Sequence, residues 1–229
     1  MPVHHPVHAL ETMGLAKTYG DLVALEPLDL VVPEGQRVVI VGHNGSGKTT
    51  LLRMAAGLLD PSAGEARVLG VPAGSLEARA AVSYLSDNPV LYDDLSVLEH
   101  LEYVSRLHDA DDWQERGVGL LAEMGLSERA DDLPSRFSRG LRQKTAIILG
   151  LIRPFSLLLV DEPFVGLDPP GQAAFIDLLA DASGSGATVI VATHQLDYVQ
   201  RCDRVIALRD GAVVHDGPPG EVDVSVLAS

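Results

Sequence analysis

Three stretches of the 229-residue sequence carry side chains whose types and spacing can do chemistry. The first is Gly42-His43-Asn44-Gly45-Ser46-Gly47-Lys48-Thr49-Thr50, of the form G-x-x-x-x-G-K-[ST]. It follows the apolar run Val38-Val39-Ile40-Val41 and precedes Leu51-Leu52-Arg53-Met54-Ala55-Ala56, so it reads as strand, glycine-rich turn and helix. Glycines let the backbone turn tightly and bring its N–H groups close to a phosphate chain. A helix starting near Lys48 adds orphan N–H donors and the positive end of its dipole. Lys48 is placed to reach the β- and γ-phosphates, and the Thr49 hydroxyl to ligate Mg²⁺. The stretch implies nucleotide binding and leaves open what the nucleotide is for.

The second is Leu157-Leu158-Leu159-Val160-Asp161-Glu162, an apolar strand ending in two carboxylates. Burying adjacent acids costs free energy unless a cation or a reaction uses them. Beside a phosphate loop, Asp161 is the natural holder of the Mg²⁺ shell, and Glu162 is then free to orient and deprotonate an attacking water. The third is Phe137-Ser138-Arg139-Gly140-Leu141-Arg142-Gln143-Lys144, which alone reads as an ordinary serine-capped helix start. His194, after the apolar run 187–192, is a lone histidine that on its own reads as structural.

The elements around these stretches alternate strand and helix. Residues 7–13 and 23–32 read as short strands about a turn at Tyr19-Gly20-Asp21, and 36–41 as the strand feeding the loop. The helix after Lys48 places Leu51, Leu52, Ala55 and Leu58 near one face, and 64–69 and 81–85 read as further strands. Composition then changes. Ser96-Val97-Leu98-Glu99 fits a capping box for a helix to about His108. Two more helices are expected over 112–124 and from Ser138 to about Leu151. Strand 156–160, helix 170–182 and strand 187–192 follow, then strands 204–208 and 212–215 about the turn Asp210-Gly211. Alternating elements with buried apolar strands argue for an α/β fold with a mostly parallel core sheet.

Composition removes several function classes. A net charge of −15 disfavours nucleic acid and anionic lipid surfaces. Cys202 is the only cysteine, so no internal disulfide forms. No apolar run reaches the about 18 residues of a membrane span, and the first ten residues lack the pattern of a signal peptide. A cytoplasmic protein is expected. His4, His5 and His8 read as part of a frayed terminus rather than a metal site.

Taken together, the phosphate loop, the Ser-x-Gly helix start about ninety residues on, the Asp-Glu strand end and the late histidine resemble the nucleotide-binding subunit of ATP-binding cassette (ABC) transporters. The resemblance covers about 9–216. It implies a P-loop NTPase fold with a small antiparallel β region at the N-terminus and a helical subdomain insert. One ABC ATPase domain over 1–229 is expected, with core at 7–92 and 152–216, insert at 93–151 and a tail at 217–229. By the same resemblance, Tyr19 matches the aromatic that stacks on adenine, Gly42 to Thr50 match Walker A, and Asp161 ends Walker B. Glu162 matches the catalytic glutamate and His194 the switch histidine at the γ-phosphate. Ser138 and Gly140 match the signature, which contacts ATP held by a partner subunit, and Asp168 matches the D-loop at the interface.

The resemblance therefore implies ATP and Mg²⁺ as ligands, a second nucleotide-binding subunit forming a homodimer, and an integral membrane partner. It places the chain peripherally on the cytoplasmic face of the membrane, with export favoured by the Ser-Arg-Gly form of the signature. Two positions depart from the family pattern. Asp87 stands where a glutamine is usual, so a carboxylate rather than an amide faces the metal. Arg139 and Leu141 replace the usual glycine and glutamine of the signature. The alternatives are a soluble ABC-type ATPase for assembly, such as iron–sulfur cluster biogenesis, and a small-molecule kinase needing neither Ser138 nor His194.

Overall fold

The computed structural model describes residues 8–221. Val7, His4, His5 and most of the tail expected at 217–229 lie outside the described residues.

Two sheets organise the chain. β1 (His8–Tyr19) and β2 (Leu22–Pro33) form an antiparallel hairpin. After them β3 (Arg37–Val41) departs into the second sheet and runs into helix α1 (Lys48–Ala55). β4 (Ala63–Val68) and the short β5 (Val71–Pro72) return to the first sheet, whose order is β2-β1-β4-β5. Helix α2 (Leu76–Ala81) then leads into β6 (Val82–Leu85). Three helices follow without an intervening strand: α3 (Val97–Leu107), α4 (Trp113–Glu123) and α5 (Arg139–Ile152). β7 (Leu157–Asp161), α6 (Pro169–Gly184), β8 (Thr188–Ala192), the single turn α7 (Leu196–Val199), β9 (Arg204–Arg209) and β10 (Ala212–Gly217) complete the described chain.

The second sheet has the order β10-β9-β3-β8-β7-β6. All its pairs are parallel except the β9–β10 hairpin. Its central runs, residues 38–41, 157–160 and 189–192, are apolar at every position because both faces are covered. Val38 and Ile40 of β3 join one core with Leu157 and Leu159 of β7, α1 and the antiparallel sheet. Val39 and Val41, with Leu158 and Val160, join the other against α5 and α6. The period-2 alternation of Cβ directions thus sorts one continuous apolar run into two cores. This three-layer arrangement puts the C-terminal ends of β3, β7 and β8 at one edge, where an open α/β sheet gathers its ligand-facing loops.

Three local expectations change and one holds. β1 runs on to Tyr19, far beyond residue 13, because bulges around Gly14 (φ 55°) break its alternation without ending its pairing. Leu58 is 64% exposed, since α1 stops at Ala55 and Gly57 turns left-handed (φ 69°). Ala81 ends α2 rather than starting a strand, and α2 itself is too short to show a period. The capping box is present: Ser96 Oγ accepts from Glu99 N, and the Glu99 carboxylate accepts from Ser96 N.

Candidate functional site

The loop between β3 and α1 closes on its own backbone. A Cβ on Gly42 (φ 152°) would lie 2.2 Å from the Leu208 carbonyl oxygen, and one on Gly47 (φ 105°) 2.7 Å from that of Ala24, so only glycine fits. Gly47 is also the N-cap of α1 and offers no capping side chain, which leaves the first N–H groups of the helix facing outward. Asn44 and Gly45 are exposed at the tip, and Thr49 and Thr50 are half-buried on the first turn of α1. Ser46 serves the loop itself. Its N–H donates to His43 O (3.1 Å), its carbonyl accepts from Gly211 N (3.1 Å), and its hydroxyl is buried without a partner.

Lys48 folds back over this loop. Its Nζ donates to Gly42 O (2.7 Å) and His43 O (3.2 Å) and lies 3.6 Å from Glu162 Oε1. Glu162 sits just past β7 at φ 45°, a left-handed conformation costing an L-residue about 1–2 kcal/mol. That backbone turn aims the carboxylate at Lys48 on one side and at His194 on the other, where Nδ1 is 2.8 Å from Oε2. A carboxylate only accepts, so Nδ1 carries the proton and Nε2 is left for a ligand. Glu162 Oε1 is buried without a hydrogen-bond donor. Thr193 N, bonded to Ile40 O (3.0 Å), fixes the end of β8 that presents His194.

Asp161 is fully buried at the end of β7. Its Oδ2 accepts from the Tyr84 hydroxyl (3.4 Å), whereas Oδ1 has no partner. Burial pushes this carboxyl above the ordinary range, against the nearby Thr49 hydroxyl, which favours its charge, and Asp87 and Glu162 push it further up. A buried carboxylate oxygen without a donor, next to a threonine hydroxyl, is a pair of hard oxygen donors suited to Mg²⁺. Among the described residues no group of three or more His, Cys, Asp or Glu forms a metal cage.

Other expected residues stand further out. The Tyr19 ring is half exposed, with Lys17 Nζ 5.1 Å from its centroid. Asp87 accepts from Ser86 Oγ (3.1 Å) and pairs with Arg53 (3.8 Å). Ser138 caps α5, its Oγ accepting from Leu141 N (3.3 Å). Gly140 is required by its neighbour, since a Cβ there would lie 2.5 Å from Gly166 O. Asp168 starts α6 and pairs with Lys144 Nζ (2.8 Å), whose hydrogen bond holds its carboxyl below the usual range. The two segments are thus locked together. Among the described residues, neither Ser138 nor Gly140 makes a hydrogen bond or ion pair to the phosphate loop.

Three participants were not anticipated from sequence: Arg53, Tyr84 and Lys144. Arg53 had a signal, because it follows Thr49 by four residues and so shares its face of α1. Tyr84 and Lys144 reach their partners only through tertiary packing. A cavity of about 470 Å³ lined by Arg116, Phe155 and Leu178 lies by the N-terminal ends of β7 and β8, away from this chemistry.

The family model described as ABC transporter matches residues 25–165. The SkfA peptide export ATP-binding protein SkfE of Bacillus subtilis (strain 168) is 32% identical over 210 residues, covering 90% of this chain and 88% of that protein. The daunorubicin/doxorubicin resistance ATP-binding protein DrrA of Streptomyces peucetius is 34% identical over 227 residues, covering 96% and 68%. A dimeric ATP-binding cassette solved in a post-hydrolysis state with ADP and Pi superposes with a TM-score of 0.84 at 26% identity, covering 92% of this chain and 98% of that one. A loop that can cradle phosphates and an acid poised to activate water are what such a cassette needs. The chain belongs to the ABC transporter family, as one of its ATP-hydrolysing nucleotide-binding subunits.

Proposed function

We propose that the chain works in a two-fold pair around ATP and Mg²⁺ and drives a separate membrane-embedded partner as an exporter. The observation that carries the reading is the Glu162 carboxylate held between Lys48 and His194, beside the partnerless Oδ1 of Asp161. Asn44, Gly45, Gly47, Thr49 and Thr50 of the loop bind the phosphates, with Gly42 and Ser46 closing the loop beneath them. Lys48 leaves the Gly42 and His43 carbonyls to take the β- and γ-phosphates, and Tyr19 stacks on the base. Thr49 and Asp161 would hold Mg²⁺, with Asp87 at its margin. When bound, the ion neutralises charge on the phosphate oxygens. Glu162 orients the attacking water and accepts its proton, while His194 Nε2 contacts the γ-phosphate.

Ser138 and Gly140 find no phosphate in their own chain, so the reading gives them to the ATP of a second copy, with Asp168 crossing between the two. Hydrolysis removes the bridging phosphate and lets the pair part. Among the described residues no helix is long and apolar enough to cross a membrane, and the reading assigns the path for cargo to another chain. Val90 and Tyr92, with Tyr103 and Leu107 of α3, are exposed together with an edge-on Tyr92–Tyr103 contact (5.6 Å), and offer that chain an apolar face. The chain would then sit on the cytoplasmic side of the membrane. Export follows the names of SkfE and DrrA, neither of which is named for assembly work.

The test is E162Q. Hydrolysis is expected to fall at least about a hundredfold, while ATP now holds a stable dimer on a sizing column. Undiminished turnover would remove Glu162 from the chemistry. Co-purification of a soluble scaffold instead of an integral membrane protein would favour the assembly reading.

A further inference from the structure

The phosphate site is crowded with negative charge for a pocket that takes a polyanion. Asp87, Asp161 and Glu162 lie close enough together there for their charges to act on one another. Lys48 answers Glu162 at 3.6 Å. The remaining cation is Arg53, on the α1 face of Thr49, with Nη2 3.8 Å from Asp87 Oδ1. The guanidinium charge also acts on the Tyr84 hydroxyl. An arginine only donates, so a guanidinium near Tyr84 favours the phenol oxygen and turns the hydroxyl proton away from itself. That proton points to Asp161 Oδ2, at 3.4 Å. Asp161 Oδ1 is thereby left as the oxygen without a donor.

We propose that Arg53 is a positioning residue of this site: it neutralises Asp87 and orients Tyr84 on Asp161, so that a carboxylate can stand in the loop after β6 without repelling the triphosphate. The inference rests on the reading that Thr49 and Asp161 hold Mg²⁺. The Arg53 and Asp87 side chains are 46% and 45% exposed, and an ion pair in water at that exposure adds little to folding. Its effect appears when nucleotide arrives and excludes that water, because charge interactions strengthen as the local dielectric falls. Without Arg53, Asp87 would face the phosphates unpaired and compete for the metal. Such outer groups tune the groups that touch the ion. A charged arginine opposite an acid is also the simplest way to keep the charge balance that an uncharged loop residue would give.

The experiment compares the native chain with R53Q, R53K, D87N and R53Q/D87N, without relying on turnover. Affinity for ATP is measured in excess EDTA, and Mn²⁺ binding is followed by electron paramagnetic resonance with a non-hydrolysable ATP analogue. R53Q is expected to weaken metal-free ATP about five- to tenfold and to tighten Mn²⁺ severalfold. R53Q/D87N is expected to return to within about twofold of D87N, and R53K to keep ATP affinity within about twofold of native. An R53Q loss that persists undiminished in the D87N background overturns the proposal, as does R53K behaving like R53Q. If the native chain with nucleotide takes up no Mn²⁺, the metal reading itself falls and this one with it. Native Mn²⁺ binding with independent effects of R53Q and D87N overturns Arg53 alone.

Discussion

The Asp161 carboxylate sets stability against function in a way that can be measured. It has no exposed area, one 3.4 Å bond from Tyr84 to Oδ2, and no donor to Oδ1. A buried acceptor left unmet costs about 1–3 kcal/mol, and more when charged. D161N keeps the shape and removes the charge. In chelator, the variant is expected to be more stable than the native chain by about 1–2 kcal/mol, which in a chain of this size raises Tm by about 2–8 °C. Scanning calorimetry across pH adds the sign. The folded-state pKa lies above the unfolded value of about 3.9. Between those two values the native fold holds a proton that the unfolded chain has released, so native stability falls as pH rises through that window. The Tm gap between D161N and native should therefore be small below about pH 4 and grow to its full size once Asp161 ionises in the fold. The same variant should lose Mn²⁺ binding. A D161N chain that is less stable than native at neutral pH would refute the reasoning, because it would mean the carboxylate is stabilised by its partners.

Three further outcomes follow from packing. G140A must move a Cβ away from Gly166 O, 2.5 Å distant, and is expected to cost about 1–3 kcal/mol in urea unfolding. It should also weaken ATP-dependent pairing while leaving ATP affinity of the single chain unchanged. Arg153 is buried without an acid beside it, donating to the carbonyls of Val82 (2.7 Å), Arg79 (2.9 Å) and Ala80 (2.7 Å). R153M leaves those carbonyls orphaned at the end of α2 and is expected to cost about 2–4 kcal/mol by thermal melting, with R153K recovering part. Burial pushes the Cys202 thiol up to about 12, so a thiol reagent at pH 8 should label the native chain only at the rate at which it opens. Prompt labelling would show that the thiol is not packed under α7.

What the sequence disclosed and what it hid divide along a physical line. The phosphate loop, Asp161-Glu162 and Ser138 were legible because their chemistry is written in adjacent residues: glycines where Cβ would clash, an apolar run that must be a buried strand, a capping serine. Arg53, Tyr84 and Lys144 were not, because each matters only through register. Tyr84 meets Asp161 since β6 pairs in parallel with β7, Tyr84 opposite Leu159, and nothing local specifies that pairing. Lys144 meets Asp168 since α5 packs beside the start of α6. The most telling case is Glu162. Sequence marks it as an acid after a strand, yet its φ of 45° is what swings the carboxylate off the strand axis toward Lys48 and His194. That left-handed turn is tolerated because Glu162 N donates to Ala192 O (2.8 Å), tying the strained residue to the end of β8. The neighbouring strand therefore supplies both His194 and the bond that aims Glu162 at it. Neither residue reaches the other by its own position; the β7–β8 pairing brings them together.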